Sequence, residues 1–282
     1  MGRKNTKIPS ILKLVVDYGH GLDWQRKKWP WLASRLIYLG ELSAIRFAKY
    51  RIVVSRELQN YFTAKHGVKA VHIPNGIEPL PSRAPELIKQ WELTRRGYFL
   101  CVGRMVPEKR MEDVIKAYLS APRRFPLVMV GDNAASGQYM NDLKRLAENH
   151  SSVIFTGYQF GNVLEELLSN ARAFVAASEL EGLPITLLEA LSYGIMCATS
   201  RIGPHAEIME SLPGLSFPVG YLQEISRCLE RIEIMTDQEL DDFKIRAIAM
   251  ISEQFNWDAV CGEHDRLYQI SLTPNGSSHE SG

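Results

Sequence analysis

Short apolar runs and helical patterns alternate regularly from residue 98 onward, and this alternation limits the fold more than any other feature. The apolar runs predict strands at 98–102, 126–130, 153–156, 172–177 and 195–199. A helical pattern follows each of them. Strands that alternate with helices are typical of a parallel, doubly wound sheet. We therefore predict an α/β fold in which the carboxyl ends of these strands share one edge.

A proline-rich stretch divides the 282 residues into unequal parts. Residues 79–85 contain three prolines and no periodic pattern, which is typical of a linker. The last ten residues are rich in serine and glycine, which favours disorder. The predicted divisions are a partial first domain at 1–84, a larger second domain at 85–255, a C-terminal helix packing back toward the first domain at 256–272, and a disordered tail at 273–282.

Charge and cysteine content argue against several classes of protein. The 33 basic and 32 acidic side chains leave a net charge of +1, so no overall field attracts nucleic acid. The four cysteines are far apart and form no Cys-x-x-Cys or Cys/His cluster, which favours free thiols over disulfides or a metal site. No secretory signal or uninterrupted apolar span appears. We expect a cytoplasmic protein that binds neither nucleic acid nor metal.

Two carboxylates flank a turn and a helix start in the segment Glu181-Gly-Leu-Pro-Ile-Thr-Leu-Leu-Glu189. The run at 171–177 predicts a buried strand before it, and Pro184 suits the first helical position, where its missing N–H costs nothing. The amides of Ile185 and Thr186 would then point at an anion, with the helix dipole behind them. The motif predicts a site for a sugar attached to a phosphate at a strand's carboxyl end.

A second candidate site follows the predicted strand at 98–102. Gly103, Arg104 and Lys109 lie in a turn before the next helix. The turn suits a diphosphate, because both charges would converge on one spot and a guanidinium binds two oxygens at once. Two ordinary surface cations on a solvated turn explain the same pattern equally well. The sequence contains neither a Walker A loop nor a Gly-x-Gly-x-x-Gly fingerprint.

Further candidates rest on single residues. Tyr158 follows a predicted strand end and would stack on a base or pack beside it, although a structural turn is slightly favoured there. His20 lies between two glycines, where the backbone can approach a ligand, but a lone histidine is more often structural. His205, at a predicted helix start, would lie near the site.

Taken together, these motifs resemble a known family. Gly103-Arg104 with Lys109, the pair Glu181 and Glu189, the turn at 74–77 and the helix start at 255–257 are similar to the glycosyl transferases of group 1, family 4, with the GT-B fold. The likeness covers nearly the whole chain, and its first part resembles bacterial rhamnosyltransferases of polysaccharide assembly. It implies an acceptor domain and a nucleotide-sugar domain, both Rossmann-like, and retaining transfer without a metal or other cofactor.

The resemblance also implies roles for individual residues. It assigns Arg104 and Lys109 to the diphosphate, Glu189 to the ribose, and Glu181 to sugar hydroxyls near the reacting carbon. Two fixed cations and a helix N-terminus would stabilise the departing diphosphate, which builds up negative charge.

The remaining roles concern backbone amides and one histidine. The amides of Gly182 and Leu183 would bind sugar oxygens. His20 matches a family histidine that contacts the donor sugar, so the resemblance favours a functional role for it over a structural one. Glu181 and His20 are thus the predicted catalytic residues.

The implied partners are a nucleotide sugar based on UDP, GDP or dTDP and a glycan or lipid-linked oligosaccharide acceptor. A lipid-linked acceptor would bring the protein into peripheral contact with a membrane, at the inner face of the plasma membrane. Base, sugar and linkage stay open.

The chain departs from the family pattern in several places, of which two bear on function. Only about 80 residues precede the linker, whereas a full domain of this type has roughly 150 to 200, so we expect the acceptor domain to be shortened. Gly203-Pro204-His205 replaces the usual Gly-Gly after the last predicted strand. Two alternatives to a glycosyltransferase therefore remain: a non-catalytic nucleotide-binding remnant or partner subunit, and a sugar-nucleotide epimerase of the same fold.

Overall fold

The computed structural model describes residues 31–48, 50–78, 80–132 and 137–272. The loop around His20 and the tail at 273–282 lie outside these ranges. Contacts divide the chain into two compact units, a smaller one of residues 1–76 with 257–282 and a larger one of residues 77–256.

The described elements follow in chain order. The strands are β1 (Ile52–Val53), β2 (Val71–His72), β3 (Phe99–Val102), β4 (Leu127–Val130), β5 (Val153–Gly157), β6 (Ala173–Ala176), β7 (Met196–Ser200) and β8 (Leu215–Phe217). The helices are α1 (Trp31–Phe47), α2 (Arg56–His66), α3 (Met111–Leu119), α4 (Gly137–Leu146), α5 (Gly161–Asn170), α6 (Ile185–Ser192), α7 (Gly203–Met209), α8 (Leu222–Ile234), α9 (Asp237–Gln254) and α10 (Trp257–Leu272). Short 3-10 turns occupy Leu87–Trp91 and Pro107–Lys109.

The boundary between the units lies after Gly76, eight residues before the predicted one after residue 84. The reason is that the proline-rich stretch is bonded to the larger unit. Arg83 N donates to Ser169 Oγ at 3.0 Å, and Arg83 O accepts from Asn170 Nδ2 at 3.0 Å. Prolines prevent regular structure in this stretch but do not detach it, so it belongs to the larger unit.

The described part of the smaller unit contains two parallel strands and a core of its own. Strand β1 pairs with β2 in the register Ile52↔Val71. Ile52 and Ile73 pack with Val260 and Leu267 of α10 in one apolar cluster. The C-terminal helix therefore belongs to the same compact unit as the N-terminal strands, although almost two hundred residues separate them in the sequence.

The larger unit is built on six parallel strands in the order β5-β4-β3-β6-β7-β8, which confirms the predicted parallel sheet. The chain begins in the middle at β3, builds outward through β4 to β5, and then crosses to β6 on the other side of β3. The loops after β3 and β6 therefore lead to opposite sides of the sheet. The crevice between such loops is where ligands bind in open α/β sheets.

Burial of the strands shows that the sheet is covered on both faces. Every residue of β4 and β7 is buried, as are Phe99, Leu100 and Cys101 of β3. Helix α3 packs on α8, and α6 packs on α9. Strands buried on both faces read as continuous apolar runs, which is why the local pattern predicted them without ambiguity.

Candidate functional site

The loops after β3 and β6 are joined to each other at the carboxyl edge of the sheet. Glu179 N in the second loop donates to Glu108 O in the first at 2.9 Å. Arg110 reinforces the junction, because its guanidinium bonds to Asp113 Oδ2 at 2.6 Å and to Glu179 Oε2 at 3.3 Å. The two predicted ligand-binding motifs therefore form one site.

Three glycines bring the ends of β3, β4 and β5 close together at this edge. Gly103 N donates to Val130 O at 3.0 Å, and Gly131 N donates to Gly157 O at 2.9 Å. A Cβ on Gly131 would lie only 1.9 Å from the carbonyl oxygen of Gly103. Gly131 also has a φ of 138°, which side-chain-bearing residues rarely adopt. Glycine at position 131 is thus required for the β3 loop to lie where it does.

Lys109 and Glu181 form an ion pair between the two loops. Lys109 Nζ lies 2.6 Å from Glu181 Oε1, and the side chains are 17% and 10% exposed. Ser178 Oγ donates to the same carboxylate oxygen at 2.7 Å. Lys109 is therefore not an ordinary surface cation, whereas the Arg104 side chain is exposed and forms no ion pair or hydrogen bond within the described chain.

The two glutamates of the motif have opposite electrostatic environments. Burial disfavours the charge on Glu181, but the Lys109 charge and hydrogen bonds from Lys109 and Ser178 outweigh it, so its pKa lies below the ordinary value. For Glu189 burial acts alone and raises the pKa. Glu189 lies on α6 and is not among the residues that line the cavity with Glu181. At neutral pH Glu181 is thus a fixed carboxylate and acts only as a hydrogen-bond acceptor.

Backbone amides at the start of α6 are available to a ligand. The amides of Gly182, Leu183, Ile185 and Thr186 donate to no acceptor among the described residues. Pro184 precedes the helix and has no N–H of its own. Four unmet donors at the N-terminus of an eight-residue helix favour a bound anion or oxygen-rich ligand.

A cavity lies between the two loops, inside the larger unit. Its lining includes Lys109, Ser178, Glu181, Thr186 and His205. Sequence reasoning missed Ser178, and serine at a strand end carries no signal that would single it out. The sheet order therefore brings Lys109, Glu181 and Thr186 to one cavity.

His205 is completely buried, and its hydrogen bonds determine which ring nitrogen carries the proton. Ser200 Oγ donates its single hydrogen to Ser178 O at 2.6 Å. The same Oγ and Ser200 O both lie 3.0 Å from His205 Nδ1, and each acts there only as an acceptor. Nδ1 must therefore be the donor, so a neutral His205 has a bare lone pair on Nε2.

Burial lowers the pKa of His205 to about 4, with the neighbouring Lys109 charge acting in the same direction against the Glu181 charge. The ordinary pKa is 6.5, so below that value the unfolded chain takes up a proton that the folded one resists. We predict that this residue removes about 3 kcal/mol of unfolding free energy between pH 7 and pH 4. Urea unfolding of the wild type and His205→Asn at both pH values checks it; equal losses would contradict the prediction.

Exposed aromatic side chains follow β5 at the same edge of the sheet. Tyr158 and Phe160 are 70% and 73% exposed, and their ring centroids are 6.0 Å apart. Exposed rings next to a ligand-binding edge can stack on a planar base. The contact of Tyr158 with a nucleotide base therefore stays a prediction.

Two features are absent from the described residues, a membrane-spanning helix and a metal-binding cluster. No helix there is long and apolar enough to span a membrane. No group of three or more His, Cys, Asp or Glu side chains in the same residues could hold a metal ion. His20 lies outside the described residues, so its predicted contact with the site stays a prediction.

Comparison with protein families places most of the larger unit in one of them. Residues 84–248 match the sequence profile described as Glycosyl transferases group 1. The match covers more than half of the chain and includes every predicted donor contact except His20.

Similar proteins of established function share about a quarter of the sequence. The chain is 27% identical over 255 residues to lipopolysaccharide 1,6-galactosyltransferase of Salmonella typhimurium, covering 88% of this chain and 65% of that protein. It is 25% identical over 217 residues to O-antigen chain mannosyltransferase B of Escherichia coli, covering 74% and 54%. The chain thus spans less than two thirds of the length of these two relatives.

Solved structures share the fold at lower identity. Anabaena HepE in complex with UDP and glucose has a TM-score of 0.77 and 20% identity, covering 89% of this chain and 71% of that one. Sucrose-phosphate synthase from Thermosynechococcus elongatus has a TM-score of 0.76 and 20% identity, covering 91% and 67%. These likenesses confirm the predicted GT-B type of fold.

Proposed function

Because this chain belongs to the glycosyl transferases of group 1, we propose that it transfers a sugar from a nucleoside-diphosphate sugar to a glycan or lipid-linked acceptor. The family membership confirms the resemblance inferred from the motifs. The observation that carries the proposal is the convergence of Lys109, Glu181 and four unbonded amides at the junction of the β3 and β6 loops.

The side chains of the proposed site suit different parts of a nucleotide sugar. Arg104 is exposed and unpaired within the described chain, so it is available to a diphosphate. Lys109 already neutralises Glu181, and it would bind a phosphate oxygen while keeping that pair. Glu181 presents carboxylate oxygens, which suit sugar hydroxyls. The ligand would therefore lie with its diphosphate toward Arg104 and its sugar toward Glu181.

The other predicted contacts complete the donor site. The amides of Gly182 and Leu183 would bind sugar oxygens, and those of Ile185 and Thr186 would face the diphosphate. Glu189 would bind the ribose hydroxyls.

The proposed chemistry follows from where charge develops. As the bond between the sugar and the diphosphate breaks, negative charge builds on the phosphate, and Arg104, Lys109 and the α6 amides would stabilise it. The acceptor hydroxyl would attack the same face of the sugar that the diphosphate leaves, so configuration is retained. Its proton would pass to an oxygen of the departing phosphate. None of these steps uses a metal.

The names of similar proteins narrow the choice of donor sugar and nucleotide. Relatives include galactosyl and mannosyl transferases, and a structural neighbour binds UDP and glucose. These names favour a hexose as the donor sugar. They also support UDP as one of the three candidate nucleoside diphosphates. Rhamnose, suggested by the first part of the sequence, remains one of the proposed sugars. The relatives' names also favour a role in cell-surface polysaccharide synthesis, and a lipid-linked acceptor would place the protein at the inner face of the plasma membrane.

We predict that one of UDP, GDP or dTDP binds and raises the melting temperature, and that Arg104→Ala weakens this binding about tenfold or more through loss of a charge-assisted hydrogen bond. Isothermal titration calorimetry measures the affinities. Arg95→Ala is the matched control, because Arg95 is an exposed cation of the same unit that precedes β3 rather than following it.

The outcomes separate the proposed function from its alternatives. Binding of none of the three nucleotides would overturn it. Binding without transfer to any acceptor would favour a nucleotide-binding protein, and an epimerised product formed without acceptor would indicate an epimerase.

A further inference from the structure

His205 has a buried hydrogen-bonding atom that the fold does not use. The residue is 0% exposed, and its Nε2 has no hydrogen-bond partner among the described residues. Its Nδ1 is held by Ser200, which fixes the ring in place and leaves Nε2 as an acceptor. A buried acceptor without a donor is costly, and native proteins rarely leave one unmet.

No donor among the described residues is bonded to this atom. Glu181 is a carboxylate and can only accept. Lys109 Nζ is bonded to Glu181 at 2.6 Å, and the Ser178 hydroxyl donates to Glu181 at 2.7 Å. The cavity lining therefore includes two acceptors, Glu181 and His205 Nε2, and the Lys109 and Ser178 donors are bonded to the first of them.

A ligand that satisfies both acceptors must carry hydrogen-bond donors. Phosphate oxygens are mainly acceptors at neutral pH, so they cannot donate to either group. Sugar hydroxyls donate and accept, and they are uncharged. The space there, about 10 Å³, admits one hydroxyl-sized group, so the His205 end of the cavity fits a single sugar hydroxyl and does not fit a diphosphate.

We propose that His205 Nε2 accepts a hydrogen bond from one hydroxyl of the donor sugar and makes the site selective for sugars that carry this hydroxyl. The inference rests on the proposed function, since it takes the sugar of a nucleotide sugar as the ligand. It adds a specificity-determining residue at a position where the sequence departs from the family's usual Gly-Gly. The low pKa of His205 supports it, because the ring stays neutral and keeps the lone pair at neutral pH.

Two substitutions of His205 test the roles of its two ring nitrogens separately. Asparagine places its amide near the position of Nδ1, so His205→Asn keeps the bond to Ser200 and has no atom at the position of Nε2. Glutamine reaches the position of Nε2 with an acceptor oxygen, so His205→Gln keeps the proposed sugar contact and loses the bond to Ser200.

The measurement is the ratio of the dissociation constant of a nucleoside diphosphate to that of its sugar conjugate, determined by calorimetry with UDP, UDP-glucose and UDP-galactose and with the GDP and dTDP counterparts. We expect His205→Asn to lower this ratio roughly 10- to 100-fold for the conjugate that binds the wild type best, the effect of one buried hydrogen bond. We expect His205→Gln to recover at least half of that loss on a logarithmic scale. The affinity for the nucleoside diphosphate alone should change less than twofold in both variants.

Deoxy analogues of the best conjugate identify the hydroxyl. One analogue should bind the wild type at least tenfold more weakly than its parent, and the same pair should bind His205→Asn equally. If no analogue behaves in this way, or if His205→Asn weakens nucleoside diphosphate and conjugate alike, His205 has a structural role and the inference is wrong. If the wild type binds no nucleotide, the proposed function itself fails.

Discussion

Replacing Lys109 with methionine is expected to lower both the stability of the protein and its affinity for a nucleoside diphosphate. The substitution removes the positive charge but keeps much of the aliphatic volume, and it leaves the Glu181 carboxylate with Ser178 as its remaining bonded partner. Removing one member of a buried pair costs about 3 to 5 kcal/mol, and the partial exposure of these two side chains reduces our expectation to about 2 kcal/mol. We expect the nucleotide affinity to fall about tenfold or more.

A second substitution distinguishes the two effects. Adding Glu181→Gln to Lys109→Met removes the uncompensated charge while keeping an oxygen for the Ser178 hydroxyl. The unfolding free energy should return to within about 1 kcal/mol of the wild type, whereas nucleotide affinity should stay low. Urea unfolding and calorimetry on the four members of this cycle provide the measurements. If the losses of the two single variants add up to the loss of the double variant, the pair is not energetically coupled.

Replacing Gly131 with alanine is expected to destabilise the protein by about 4 kcal/mol, from a strained φ together with a steric overlap. The added Cβ would lie 1.9 Å from Gly103 O and 3.0 Å from Gly103 C, and both are backbone atoms that cannot rotate away. Relief requires the β3 loop to move, and that loop carries Arg104 and Lys109. The midpoint of urea unfolding measures the effect, and nucleotide affinity should fall with it.

Gly137→Ala is the matched control for this change. Gly137 is the first residue of α4, and a Cβ there would meet no heavy atom within 4 Å. Alanine restricts the unfolded chain more than glycine does, so we expect a gain of about 0.5 kcal/mol. A loss at position 131 no greater than the change at position 137 would mean that the close approach to Gly103 has no energetic consequence.

The strands of the larger unit were predictable from the sequence because they are buried on both faces. Continuous apolar runs predicted 98–102 and 172–177, and the structure has strands at Phe99–Val102 and Ala173–Ala176. The same rule explains why β8 was not predicted. Of its three residues Leu215, Ser216 and Phe217, only Phe217 is buried, so the run is too short and too mixed to give a signal.

The positions of the site motifs could be predicted, but their mutual contacts could not. A strand end is visible locally, and so Arg104, Lys109 and Glu181 were predicted as ligand-binding residues from their place in the sequence. The pairing of Lys109 with Glu181 joins residues 72 positions apart. It depends on β3 and β6 being neighbours in the sheet, which no local pattern reveals. The unbonded Nε2 of His205 depends likewise on the hydrogen bonds of its Nδ1 to Ser200, which form only in the folded protein.

The two compact units differ in the number of sequence segments that form them. The larger one is a single uninterrupted stretch, residues 77–256, whereas the smaller one needs two separate stretches of sequence. A single insertion or excision of gene sequence can therefore transfer the larger unit between proteins. The smaller unit can accept such an insertion. Apart from His20, every predicted donor contact lies in the transferred segment. Recombination can thus change donor preference without rebuilding the remainder of the molecule.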